Sequence, residues 1–442
     1  MYTILTISIF LWITFIVLRN IDKPIIAIED NGISHTEIDN FTWFGTFSLF
    51  TAPLFLSDIK EAKYILWFFL VCWLILKKKY ALYPLVYIKH FSFFFIWACI
   101  GVFIGGAWVR GSLTLVKYSL IAFYFLIGYH IPNPDKKLIY VFKYAEIGIL
   151  LALVTVSGIV AKLGIWQLYL FFIHFFFSRG GISDYFSAVS PICLALFYTD
   201  EKKWYHFIVY ILCLLSSIFF VIRTGIGSFF VGAVIFFFYR YRSKSPLILI
   251  PIIILFFATI FLIPTVRQKM FTNEIQETNT PLTIQSLFDS QNRRDNGRND
   301  LIEMALIYFQ NANKIIGAGT GALTTQLRVW NAEEKTAAIA HNDYLVIYID
   351  HGILGCLLFF IFIVITFFNI FRHLASKSQY FEIQLLGQCA VASLGSCLFA
   401  MRFENIIAHV MSSIGISFLL LGMFYRAIDE VNARSTHTTQ PR

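Results

Sequence analysis

Residues 341–370, HNDYLVIYIDHGILGCLLFFIFIVITFFNI, combine a short polar opening with a long apolar run. After Tyr344 the only formally charged residue in this stretch is Asp350. A helix rises about 1.5 Å per residue, so the run is longer than the ~30 Å of hydrocarbon in a bilayer. The stretch therefore predicts a membrane-spanning helix with His341, Asn342 and Asp343 at its entrance.

The composition extends this prediction to the rest of the chain. Of 442 residues, 58% are hydrophobic and only 14% are charged, whereas soluble domains carry about 25% charged residues. We therefore expect an all-α fold, a polytopic transmembrane helical bundle surrounded by membrane lipids. The net charge of +9 does not imply a nucleic-acid partner, because basic residues cluster in short loops that orient spans in a membrane.

The apolar segments and the basic clusters between them predict the topology. Candidate spans are residues 3–18, 41–56, 62–76, 91–108, 112–130, 138–160, 182–198, 204–222, 224–239, 246–264, 344–370, 383–400 and 408–426. Clusters such as 77–79, 202–203 and 240–244 belong on the cytoplasmic face. Counting every segment places Met1 outside, whereas a re-entrant 41–56 segment leaves about twelve spans and places it inside. The sequence favours the lower count.

One long polar insert, residues 265–342, breaks the pattern of short loops. The topology places it on the external face, which divides the chain into a first bundle part (1–264), a periplasmic loop domain (265–342) and a second bundle part with a cytoplasmic tail (343–442). Its segment NRRDNGRNDLIEMALIYF predicts an amphipathic helix, which the glycine-rich IIGAGTGAL then ends. A long loop with helices of its own is more often functional than filler.

Several arginines fall on the same external face. They are Arg179, Arg223, Arg293, Arg294 and Arg298. Each one alone is explained by contact with lipid headgroups or by a solvated surface. Together they indicate an anion site, because the guanidinium fork suits phosphate oxygens. A diphosphate leaving group needs such donors where negative charge develops.

His341 is the candidate general base, because an unperturbed imidazole titrates near neutral pH and can accept a proton from a sugar hydroxyl. The alternative is structural: a histidine at a span entrance is usually a polar cap, and Asn342 and Asp343 suit helix capping equally well. Deeper in the chain, Lys143 and Glu146 lie three residues apart and predict an internal ion pair.

The remaining motifs suggest neither a nucleotide nor a metal. The glycines of GAGTG, residues 317–321, follow no predicted strand and precede no P-loop lysine, so we reject a nucleotide-binding loop. We expect no metal and no other cofactor, because the external face carries no ligand cluster with the usual spacing.

Three motifs together resemble the O-antigen ligase and polymerase family. HNDYLVIYIDHGILG is similar to its His-Asn-x-x-Leu … Gly-x-x-Gly signature, and VIRTGIGSFFVG to its Arg-Thr element. GRNDLIEMALIYFQNANKIIGAGTGAL resembles its Gly-Arg-led loop helix and the glycine-rich turn that follows. The order of these motifs and the single large external loop match over roughly residues 175–370.

The resemblance implies a membrane glycosyltransferase that takes a glycan from undecaprenyl diphosphate and joins it to an acceptor sugar, without metal or nucleotide sugar. By position, Arg223 and Arg298 would hold the diphosphate and His341 would activate the acceptor hydroxyl. Arg179, Arg293, Arg294, Asn342 and Asp343 are expected to bind substrate, with Arg179 the loosest match.

Within the family, two reactions remain open. A ligase joins the glycan to lipid A-core, and a polymerase adds it to a growing glycan. The single large loop and the absence of an Arg-x10-Gly pattern favour the ligase. A pilin-type O-oligosaccharyltransferase also stays open. From another class, a lipid-linked glycan flippase would also hold arginines in a cavity, but it should show paired halves.

Overall fold

The computed structural model describes ten segments of the chain. They are residues 27–30, 33–37, 82–156, 179–200, 203–219, 223–264, 298–334, 341–375, 380–404 and 406–438, with single positions between 45 and 72 and at 266. The predicted spans 3–18, 41–56 and 62–76 lie almost wholly outside the described residues.

The described residues are almost entirely helical, and the twelve α-helices among them carry the fold. They are α1 (Lys89–Gly105), α2 (Trp108–Tyr129), α3 (Pro134–Val156), α4 (Arg179–Thr199), α5 (Lys203–Phe219), α6 (Arg223–Tyr241), α7 (Ser245–Leu262), α8 (Arg298–Gln310), α9 (Ala322–Glu334), α10 (Asp343–Ala375), α11 (Phe381–Ala400) and α12 (Ile414–Thr438). Short 3-10 helices cover Tyr83–Ile88, Arg242–Lys244 and Ile407–Ser412.

A small antiparallel hairpin is the exception to the all-α prediction. Strand β1 (Ala27–Asp30) pairs with β2 (Ile33–Glu37), so that Ala27 lies opposite Glu37 and Asp30 opposite Ile33. Elsewhere, local sequence explains the helix boundaries. Pro134 opens α3, where its missing N–H costs nothing. Gly106, with a φ of +62°, ends α1.

Six of these helices are long and apolar enough to cross a membrane, which indicates a multi-pass membrane protein. They are α1 with the preceding 3-10 turn, α2, α6, α7, α10 and α11, and α5 is a shorter apolar helix. The helices overlap the predicted segments from 91–108 to 383–400 with small shifts at their ends. The last segment, 408–426, is shifted further: α12 covers Ile414–Thr438, and a 3-10 helix covers Ile407–Ser412. The predicted count of about twelve spans is not confirmed.

The bundle has a buried centre and an outer surface of exposed apolar side chains. In the most apolar 18-residue stretch of α11, 83% of the residues are buried, against 17% in the corresponding stretch of α7. Helix α11 packs between α6, α4 and α12, whereas α7 packs mainly against α6. The exposed side chains of α7 are large and apolar, among them Leu247, Ile254 and Leu262. Such a surface suits contact with lipid tails.

The ion pair predicted between Lys143 and Glu146 is wrong. Glu146 accepts a hydrogen bond from Nδ1 of His206 at 2.8 Å, and Lys143 pairs with Asp200 at 2.8 Å. Nε2 of His206 also contacts Asp200, at 3.0 Å. Spacing on one helix identified the shared face, but side chains from the α4–α5 connection and from α5 offer better partners.

Candidate active site at the entrance of helix α10

His341 lies just before α10 and contacts a carboxylate from a distant part of the chain. Its Nδ1 is 3.1 Å from Oε2 of Glu404, in the turn after α11. Its side chain is 38% exposed and that of Glu404 is 15% exposed. The backbone of His341 has a φ of +46°, an unusual conformation for a residue other than glycine. The imidazole is therefore both held and accessible.

Asn342 and Asp343 hold the entrance of α10 in place. The side-chain carbonyl of Asn342 accepts the N–H of Leu345 at 3.1 Å, which makes Asn342 a helix cap. The Asp343 carboxylate accepts the N–H of Ile407 at 2.9 Å, and its own N–H donates to Met401 at 2.8 Å. Asp343 thus binds both sides of the turn that carries Glu404.

Asp184, in the second turn of α4, is a buried carboxylate at this end of the bundle. Among the residues that the structure describes, neither of its oxygens has a hydrogen-bond partner, and Asp184 is 1% exposed. It interacts electrostatically with Glu404 and Asp343. A lone buried carboxylate costs several kcal/mol unless it is neutral or paired, so this position is energetically expensive.

Arg223 is the first residue of α6, and two contacts locate it at the same end. Gly225 lies directly against Ser183, the neighbour of Asp184. Gly227 packs against the ring of Phe399 at the end of α11, shortly before the turn that carries Glu404. The start of α6 therefore lies beside both α4 and α11, with Arg223 partly buried.

The other predicted arginines are located only by their backbone or not at all. Arg179 and Arg298 are the first residues of α4 and α8. Arg293 and Arg294 lie outside the described residues. Helix α8 packs on the first turns of α10, where the rings of Phe309 and Tyr348 lie 4.8 Å apart. The helix that begins at Arg298 is thus attached to the helix that follows His341.

The arrangement places the partly exposed imidazole of His341 at the start of α10, near the starts of α4 and α6. An imidazole whose Nδ1–H donates to a carboxylate presents Nε2 as the free acceptor, as in histidine–carboxylate pairs of enzymes. The starts of α4 and α6 present backbone N–H groups, which favour anions, and the first residues of these helices are Arg179 and Arg223. Among the described residues, no group of three or more His, Cys, Asp or Glu side chains could hold a metal ion.

Part of the chain matches a known protein family. Residues 208–360 match the family model described as O-antigen ligase. The match confirms the family resemblance predicted from the sequence for this part of the chain, and the matched segment includes Arg223, Arg298 and His341. No curated protein matches the chain.

Sequence reasoning missed Glu404 and Asp184. Glu404 lies in the short polar turn MRFEN between two predicted spans, on the face that the topology shares with His341. Asp184 lies in RGGISDYF, just after Arg179. In both cases a charged residue beside an apolar run was the available signal, but only the fold brings either near His341.

Proposed function

We propose that this protein is an inner-membrane glycosyltransferase of lipopolysaccharide or surface polysaccharide biosynthesis. It transfers a glycan from undecaprenyl diphosphate to an acceptor sugar at the periplasmic face, where residues 265–342 form the loop domain. The observation that carries the proposal is the contact between His341, in the segment that matches the O-antigen ligase family, and Glu404.

In the proposed reaction, His341 accepts the proton of the acceptor hydroxyl. The hydroxyl oxygen attacks the anomeric carbon of the donor glycan, and the bond from that carbon to the diphosphate oxygen breaks. The proton moves to Nε2 of His341, while the leaving undecaprenyl diphosphate takes the bonding electrons. Glu404 keeps Nδ1 protonated and stabilises the imidazolium that forms.

The arginines supply the second part of the mechanism. Arg223 and Arg298 hold the diphosphate and neutralise the charge that develops on the leaving group. Arg179, Arg293 and Arg294 are proposed to extend this anion site. Binding of the acceptor by Asn342 and Asp343 stays a prediction, because their described hydrogen bonds hold the entrance of α10.

We propose ligation to lipid A-core as the reaction, with polymerisation of repeat units as its alternative. The test uses purified protein with a lipid-linked glycan, with and without a separate lipid A-core acceptor. A ligase forms product only with the added acceptor, whereas a polymerase lengthens the lipid-linked glycan without it.

The His341→Gln variant provides the matched test of the chemistry, with His373→Gln at the far end of α10 as the control. We expect transfer to fail in the first variant and to continue in the second. The wild-type protein would be identified as a flippase if it forms no glycosidic bond with or without the lipid A-core acceptor and moves the donor across vesicle membranes.

A further inference from the structure

Helix α10 is interrupted at Gly352, whose φ of +66° and ψ of −168° are not helical. In an uninterrupted helix, Ile353 would donate its N–H to the carbonyl of Ile349, and Leu354 would donate to that of Asp350. The interruption frees these four backbone groups. In a transmembrane helix, each group left unsatisfied costs several kcal/mol.

The glycine-rich loop between α8 and α9 satisfies all four groups. The two freed N–H groups donate to the carbonyls of Lys314 and Ile315, at 3.0 and 3.1 Å. The two freed carbonyls accept from the N–H groups of Ala318 and Gly319, at 2.8 and 2.9 Å. Gly319 has a φ of +100°, and a Cβ there would collide with the backbone of Gly105. The loop thus replaces two internal hydrogen bonds of α10.

Asp350 adds side-chain contacts to this backbone exchange. Its two carboxylate oxygens accept the N–H groups of Gly321 and Leu323, at 2.8 and 3.0 Å, and so cap the start of α9. Asp350 is 1% exposed. Beside it, the hydroxyl of Thr320 donates to the carbonyl of Ala98 in α1 at 2.6 Å. We refer to residues 313–323 with Asp350 and Gly352 as the clasp.

The clasp connects the loop helices to the part of α10 that begins beside His341. Helix α8 runs directly into the clasp, and Ala305 and Phe309 of α8 form one apolar cluster with Leu323 and Leu327 of α9 and Ile349 of α10. The first turns of α10 are therefore fixed at both ends, by Asp343 at the entrance and by Asp350 in the clasp.

We propose that Asp350 is a positioning residue: through the clasp it holds α8, and with α8 the start of the helix at Arg298, in a fixed relation to His341. The inference rests on the proposed glycosyl transfer for its kinetic consequence. The clasp itself is a claim about the fold and is tested separately. Loosening the clasp separates Arg298, the proposed donor-binding arginine, from His341, the proposed base, without altering either residue.

The first measurement is tryptic cleavage after Lys314 in the purified protein in lipid nanodiscs, where trypsin reaches both membrane faces, with cleavage after Arg434 as internal reference. The Lys314 carbonyl lies inside the clasp, so cleavage requires the clasp to open. We expect Asp350→Ala to speed this cleavage about tenfold or more. The variant loses two hydrogen bonds to a charged group, and this loss makes opening of the clasp more favourable by about that factor. Asp429→Asn, a carboxylate bonded to Tyr87 and Tyr129, is the matched control and leaves it unchanged.

The second measurement is the KM for the lipid-linked donor. Asp350→Asn keeps one acceptor oxygen and loses the other, so we expect the donor KM to rise about tenfold. We expect a smaller fall in kcat, because Arg298 is proposed both to hold the diphosphate and to neutralise the leaving group. Thr320→Val, a nearly isosteric change, should move the same two quantities in the same direction by less. If Asp350→Ala fails to insert, these two variants carry both measurements.

Unchanged cleavage after Lys314 in an inserted Asp350 variant would overturn the proposal. So would loss of kcat in Asp350→Asn at normal donor KM and normal cleavage, because that result marks a carboxylate that takes part in the chemistry. If the wild-type protein transfers no glycan, the proposed function fails, and the cleavage rates still decide whether Asp350 holds the clasp.

Discussion

His206 and His341 both contact carboxylates, but they do so at opposite ends of the bundle and in opposite environments. His206 is 2% exposed, with Glu146 on Nδ1 and Asp200 on Nε2. His341 is 38% exposed, and Glu404 contacts its Nδ1. A histidine with a carboxylate on each nitrogen joins helices together. A histidine held through one nitrogen and open to solvent can exchange a proton with a substrate.

The largest expected effect comes from exchanging each histidine for glutamine. His341→Gln keeps a hydrogen-bonding side chain but cannot take a proton, so steady-state transfer should fall roughly 10²- to 10⁴-fold. His206→Gln should leave transfer per folded molecule near the wild-type value and lower thermal stability, because the buried Glu146 carboxylate loses the ring N–H of His206. Transfer assays and thermal unfolding of both purified variants measure this. If His341→Gln and His206→Gln lower transfer equally, the proposed difference between a catalytic and a structural histidine is contradicted.

The next effect concerns the arginines at the His341 end. If Arg223 and Arg298 grip a diphosphate through two parallel hydrogen bonds, Arg→Lys at either should be nearly as damaging as Arg→Ala, because a point charge cannot replace the fork. The measurement is restoration of surface glycan in a strain that lacks the protein. Arg240→Lys, at the other end of α6, is the matched control. Full restoration by both lysine variants would reduce the two residues to headgroup anchors.

Glu404→Gln should lower transfer by at least about 10-fold, because the amide no longer holds the Nδ1–H tautomer of His341 or stabilises its imidazolium. Glu404→Asp should recover part of this loss, since it retains the charge at a slightly greater distance. Glu430→Gln, in the same helical bundle but paired with Arg426 near the C-terminal end of α12, is the control. Kinetics of the three purified variants test the prediction. A fully active Glu404→Gln protein would show that His341 does not need its partner.

These contrasts also show what the sequence could predict. The long apolar runs predicted the helices from 91–108 onward, because burial in a membrane leaves the backbone few alternatives. The break in α10 at Gly352 was not predicted, since a glycine within a helix is tolerated and its conformation here depends on the loop at 313–319. The contact between His341 and Glu404 joins residues separated by a whole helix pair, so spacing along the chain could not reveal it.

The smallest expected effect belongs to Asn342. As the cap of α10, it should cost only about 1 kcal/mol of stability when changed to alanine, with a mild loss of transfer. Asn342→Asp, which retains the cap, is expected to restore that stability. Chemical denaturation and a transfer assay distinguish the roles. A severe loss of transfer with normal stability would mark Asn342 as a residue that contacts the acceptor sugar.

The most direct test of the central claim separates donor binding from bond formation in His341→Gln. Donor binding to the purified protein is measured at equilibrium, and bond formation in a single turnover with saturating donor and acceptor. We predict an unchanged donor Kd and a single-turnover rate that is lower by roughly 10²- to 10⁴-fold, as expected for loss of a general base. A wild-type rate in the glutamine variant, or a lost donor affinity that accounts for the whole defect, would contradict the assignment of His341 as the proton acceptor.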